Sequence, residues 1–217
     1  MEGPAPILHS AAPAGQSSPG KQGGSGVSEP RDRELVERCL LDLEAMQESF
    51  RLLYERHAPA LARFLRGALG DDDAARDALQ ETFLCLFRAL PRWDPQRPFR
   101  PWALGVAWRV AQGQRRAAGR RPALRLLPEE DPPARGGQGP GEVAARREEQ
   151  ELLREAVAEL PDEEREVFLL RQVEGLTFEE AAEVVGCSLR TAKTRMRAAL
   201  TLLALGLRRR GLVGGVL

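Results

Sequence analysis

The chain has 217 residues, and its 32 Lys and Arg balance 32 Asp and Glu to a formal charge of zero. That length predicts one or two domains, and a hydrophobic share of 42% suffices for a core. Three scattered cysteines and two histidines, His9 and His57, offer neither a disulfide framework nor a spaced metal-ligand cluster, so no metal or other cofactor is expected.

Residues 1–30 are rich in Gly, Pro, Ser and Ala. Such a segment cannot bury enough surface to offset its ordering entropy, and a disordered tail is expected. It carries no signal-peptide pattern, and the longest apolar stretch, near Leu200–Leu207, is too short to span a bilayer. A cytoplasmic protein without membrane insertion is expected.

From residue 31 the apolar spacing is helical. Leu35, Val36, Cys39, Leu40 and Leu43 predict one stripe, continued by Phe50, Leu53, Tyr54, Leu61, Phe64, Leu65 and Leu69, with Pro59 starting or kinking a helix. Asp71, Asp72 and Asp73 suit a helix N-terminus, after which Ala75, Leu79, Phe83 and Leu86 share a face. A further helix is expected to begin near Pro101. The predicted fold is all-α: a helical domain over 31–121, a Pro- and Gly-rich flexible linker over 122–141, and a second small helical domain over 142–210.

In the second domain, helices are expected over about 142–159 and again after Pro161, ending at Gly175. Thr177 and Glu180 form a capping box, Gly186 permits a turn, and Ser188 can cap the next helix. A short helix, a tight turn and a longer cationic helix make a helix-turn-helix. Leu189, Ala192, Met196 and Leu200 are expected to face the core, leaving Arg190, Lys193, Thr194 and Arg197 on the outside. Arg190 can fork onto a guanine and a threonine can touch a base, whereas Lys193 and Arg197 suit phosphates. An ordinary helical hairpin with a solvated charged face is the alternative.

The neutral average hides two basic segments. Phe99–Pro128 carries seven arginines and Ser188–Leu217 seven cations, neither with an acid. The first also holds Trp102 and Trp108, with Trp93 just upstream. Arginines interleaved with aromatics suit single-stranded nucleic acid, while tryptophans at helical spacing also suit a core. Composition alone leaves both open.

Asp77-x-x-Gln80-Glu81-x-Phe83-Leu84, followed by "LPRWDPQRPFRPWALGVAWR", resembles region two of bacterial sigma factors. "LPDEEREVFLLRQVEGLTFEEAAEVVGCSLRTAKTRMRAAL" resembles their region four. No room is left between them for a further domain, which is similar to the small extracytoplasmic-function (ECF) class. The resemblance implies an initiation factor that binds core RNA polymerase and promoter DNA, both as duplex and as melted non-template strand. Asp77, Gln80 and Glu81, with Arg88 and Arg92 nearby, would dock on the polymerase clamp helices. Trp108, Arg109, Gln112, Arg115 and Arg116 would hold the minus-ten single strand, with Trp102 left in the core. Ser188, Arg190, Thr191, Lys193, Thr194 and Arg197 would read the minus-thirty-five duplex. The resembled class commonly has an inhibitory anti-sigma factor as a further partner. Arg109, where many relatives have Asn, Gly105 inside a helix, and Arg190, where Gly is common, depart from the pattern. A stand-alone helix-turn-helix regulator of duplex DNA is the competing reading, but it gives the Asp77–Glu81 face no work. No nucleophile motif or phosphate loop supports an enzyme.

Overall fold

The computed structural model describes residues 31–118 and 140–211. The expected tail and most of the expected linker lie outside them. Helices are α1 (Asp32–Leu41), α2 (Leu43–Leu69), α3 (Asp72–Ala89), α4 (Phe99–Ala118), α5 (Pro140–Ala158), α6 (Asp162–Phe168), α7 (Phe178–Val185) and α8 (Leu189–Arg209). Among the described residues there is no strand.

Local chemistry sets the boundaries. The Asp42 side chain accepts from the amides of Glu44 and Ala45 at 2.9 and 3.1 Å and so opens α2. This separates α1 from α2 between Leu41 and Leu43, and the expected single stripe breaks there. Leu35, Val36 and Cys39 are buried, whereas Leu40 and Leu43 are exposed. Pro59 lies inside α2 and starts no helix. Gly70, at φ 67°, ends α2 in the left-handed region, and Asp71 caps α3 by accepting from the Ala74 amide at 2.8 Å. Helix α4 begins at Phe99, two residues before Pro101.

Phe64, Leu65, Leu61, Leu53 and Leu35 on α1 and α2 meet Ala78 and Leu86 of α3 and Leu104, Ala103 and Ala107 of α4, all nearly inaccessible. Each large apolar side chain buried this way contributes about 1.5–3 kcal/mol. At the edge of this core, Asp32 accepts from Arg56 at 2.6 Å and lies 3.0 Å from the His57 ring. Burial pushes the Asp32 carboxyl up, but its hydrogen bonds to His57 and Arg56 and their charges outweigh that and hold it below the ordinary value.

The α6 chain continues as a π-helical turn, Leu169–Val173. The core does not stop at the first four helices: Val167, Leu169, Leu170, Leu176, Ala181 and Ala182 belong to the same cluster of buried side chains. The two helical parts of residues 31–211 therefore pack as one compact unit. A second small cluster joins Ala156 and Leu160 to Ala199 and Leu203 of α8. In α8 the buried residues are Ala192, Met196, Ala199, Leu203 and Gly206, while Leu189 and Leu200 are exposed. Ala192 and Ala199, whose small side chains let α8 lie close to its neighbours, share the inward stripe with Met196 and Leu203, and Leu189 and Leu200 turn outward.

Candidate nucleic-acid interface

Three surfaces carry the residues singled out by the sequence. The first is helix α8, the second helix of the helix-turn-helix. Thr177 and Glu180 close the capping box of α7, with contacts of 3.1 and 2.7 Å. Gly186, at φ 69°, makes the left-handed turn that a side-chain-bearing residue rarely adopts. Ser188 then accepts from the Thr191 amide at 3.0 Å and starts α8. Ser188, Arg190, Lys193, Thr194 and Arg197 are exposed and Thr191 is half-buried. Thr194 donates its hydroxyl to the Arg190 carbonyl at 3.0 Å, and the Lys193 ammonium lies 5.9 Å from the Phe178 ring. Arg195, by contrast, turns back to Glu163 of α6 at 2.6 Å. Of the outward cations Arg190, Lys193 and Arg197 sit on the first three turns of α8 and Arg208 and Arg209 on its last, and the helix contains no acid.

The second surface is α4. Trp93, Phe99 and Trp102 form an aromatic cluster, with ring centroids 5.3–6.4 Å apart. Trp102 is half-buried and packs against the core, as expected. Of the five residues assigned to single-stranded DNA, Arg109 and Arg116 are exposed. The other three converge on one carboxylate. Trp108 donates its indole N–H to Glu166 Oε2 at 2.7 Å and Gln112 donates its amide to Oε1 at 2.9 Å. Arg115 donates to the same Oε1, and its other nitrogen is 3.2 Å from Asp162. Glu166 is buried in α6, and the Arg115 side chain is only 9% exposed.

Two further acids make the same kind of crossing. Glu174, whose side chain is fully buried, accepts from Arg63 of α2 at 3.2 Å and Arg100 of α4 at 2.5 Å. Its second oxygen, Oε1, is buried without a hydrogen-bond partner among the described residues. Glu183 of α7 pairs at the surface with Arg97. Sequence reading missed Glu166 and Glu174. Glu166 lies in a stretch that reads as solvated charge and Glu174 beside the expected helix end at Gly175, and their partners are 51–111 residues away.

The third surface is the outer face of α3. Asp77, Gln80, Glu81 and Arg88 are exposed along it, and Arg92 is exposed just beyond it. Gln114 of α4 reaches Glu81 at 3.4 Å. Leu84 and Phe87 are also exposed here, at 59% and 43%. Phe87 stacks edge-on against Phe50 of α2, centroids 5.2 Å apart. The spacing of Gln80, Leu84 and Arg88 puts an apolar centre between polar flanks, an arrangement the sequence could have shown.

An all-α chain with an exposed cationic recognition helix, and a second helix bearing arginine and tryptophan, is a two-part DNA-binding protein. The comparisons with known proteins are specific. Residues 53–121 match the family model "Sigma-70 region 2" and residues 150–203 match "Sigma-70, region 4". The chain is 30% identical over 152 residues to RNA polymerase sigma factor CarQ of Myxococcus xanthus, covering 70% of this chain and 85% of that one. It is 31% identical over 176 residues to ECF RNA polymerase sigma factor SigD of Mycobacterium tuberculosis, covering 78% and 80%. Among solved structures, CnrH in complex with the cytosolic domain of CnrY superposes with a TM-score of 0.61 at 26% identity, covering 82% of this chain and 97% of that one. The chain belongs to the ECF sigma factors of RNA polymerase, which direct the initiation of transcription at promoters. Sigma factors of this family are non-enzymatic. Among the described residues no helix is long and apolar enough to cross a membrane.

Proposed function

We propose that the three surfaces divide the work of initiation. Residues 31–121 dock on core RNA polymerase and hold the melted minus-ten strand, and residues 142–210 read the minus-thirty-five duplex. On α8, Arg190 and Thr191 approach base edges while Ser188, Lys193, Thr194 and Arg197 fix register on phosphates. On α4, Trp108 stacks on an unpaired base and Arg109, Gln112, Arg115 and Arg116 follow the strand. On α3, Asp77, Gln80 and Glu81 meet a basic polymerase surface, with Arg88 and Arg92 at the border and Leu84 and Phe87 as the apolar centre. The protein works in the cytoplasm, and residues 122–141 link the two halves. The solved relative CnrH is held by a cytosolic domain of another protein, which supports an anti-sigma factor as a partner of this chain too.

The observation that carries this reading is the exposed α8 face, cationic and capped, on a helix without an acid. The test is in-vitro transcription with core polymerase, using wild type and the Asp77→Lys, Glu81→Lys double variant. Both side chains are exposed, so the variant keeps its helicity and its binding to minus-thirty-five duplex. It loses core binding by at least about tenfold, because like charges then face each other. Holoenzyme assembly at wild-type affinity would refute the docking assignment.

A further inference from the structure

The halves of the molecule meet through the residues that the preceding reading assigns to single-stranded DNA. Glu166 presents Trp108, Gln112 and Arg115 with an oxyanion, the same chemistry that a strand phosphate would present. A strand and Glu166 cannot hold these donors together. Glu174 binds Arg100 of the same helix and Arg63 beside it, and Arg97 is engaged by Glu183. Arg190, Lys193 and Arg197 of α8 take no part in this contact and stay exposed.

We propose that this is a self-masked form of the protein, in which Glu166 and Glu174 of the second half occupy the single-strand surface of the first. The closed chain reads duplex through α8 but cannot hold an unpaired strand until α6 and the π-helical turn lift off α4. This inference rests on the assignment of Trp108, Gln112 and Arg115 to the unpaired strand.

The contact is built to be reversible. Buried ion pairs gain little net stability, since desolvation opposes the Coulomb attraction. Here a buried carboxylate oxygen of Glu174 also lacks a partner, which penalises the closed state further. The apolar part of the seam is tight at one point. A methyl group added at Gly67 of α2 would lie 2.8 Å from both terminal carbons of Leu169. A side chain there must displace the tip of Leu169, and a long charged one enters the seam, whereas it is an ordinary helix position once the halves part.

Two independent openings test this in the full-length chain. Glu166→Gln with Glu174→Gln removes the two buried charges, and Gly67→Glu wedges the seam while adding negative charge. Small-angle scattering measures expansion, and a fluorescein-labelled single-stranded oligonucleotide of non-template sequence measures strand binding. Both variants should expand and bind the oligonucleotide at least about tenfold more tightly than wild type, while duplex binding stays constant. A gain in Gly67→Glu cannot come from added positive charge. The proposal falls if neither variant expands, or if the expanded variants bind the strand no better than wild type. In that second case Trp108→Ala in the Gly67→Glu background tells which premise failed. Loss of the remaining strand binding would keep the contact and discard the mask, whereas no change would discard the contact itself.

Discussion

Helices α4 and α8 are both basic, both lack acids in the described turns, and both lie on a helix anchored by a core, yet they stand in opposite states. On α8 the cations point outward and only Arg195 is tied back, to Glu163. On α4 the matching donors are gathered under a carboxylate from the other half of the chain. A basic helix is thus not by itself an available one. What differs is the company: α8 runs along the outside, while α4 lies at the seam and receives the acids that α6 and the turn after it carry. With the roles proposed above, α8 can remain open because duplex binding alone starts nothing, whereas an open α4 would hold any single strand it met.

The comparison breaks most sharply if the seam is fixed shut. Arg97 and Glu183 are both well exposed and pair across it. In a background with Cys85 and Cys187 changed to serine and Cys39 to alanine, Arg97→Cys and Glu183→Cys can be joined by a cleavable bis-maleimide. The joined protein should lose initiation on duplex promoters down to background, and cleaving the reagent should restore it. Duplex binding through α8 should be the same before and after. Full activity in the joined form would show that α4 does its work without separating from α7.

Within α8, Arg190→Ala and Lys193→Ala should differ in kind. Loss of a forked contact to guanine relaxes base preference by about 1–3 kcal/mol. Loss of a phosphate contact weakens all duplexes alike and lowers the salt slope by about one. Titrations on specific and scrambled duplexes at several salt concentrations read both. Identical profiles for the two variants would remove Arg190 from base reading.

The smallest effect belongs to α4. Gly105 is buried in its middle, but a Cβ there would meet nothing within 4 Å. Gly105→Ala should therefore raise stability by about 0.5–1 kcal/mol through helix propensity and a less free unfolded chain. Thermal melting measures it, and a lowered midpoint would mean that α4 and α7 close more tightly than described.

What the sequence made legible was local. The capping box at Thr177 and Glu180, the turn at Gly186 and the cap at Ser188 all act within a few residues, so the helix-turn-helix could be read in full. The outward set Arg190, Lys193, Thr194 and Arg197 followed from it. The inward set was half right, because Ala192 and Met196 announce a face that Ala199 continues and Leu200 does not; hydrophobicity favoured the leucine and close packing favoured the alanine. The break at Asp42 was hidden by a stripe that ran on through Leu43. Least legible were Glu166 and Glu174. An acid in "DEEREVF" looks like a helix-terminal charge in water, and only tertiary structure tells it from Glu163 two residues before Arg165. For the same reason Trp108 could be assigned a ligand, but not the internal occupant it has.

Arg165 lies at the base of this seam. Its guanidinium donates to the backbone carbonyls of Ala68, Ala158 and Leu160 at 3.1–3.2 Å and to Asp162 at 2.5 Å. Burial lowers its pKa below the ordinary arginine value. One cation therefore receives the carbonyl ends of α2 and α5 together, where both helix dipoles are negative. Parting the halves costs Arg165 its bond to Ala68, whereas its bonds to Ala158, Leu160 and Asp162 stay within the second half, so this one cation couples the melting of the two parts in the closed chain. Calorimetry of the closed protein should trace one peak, and the wedge at Gly67 should split it into two.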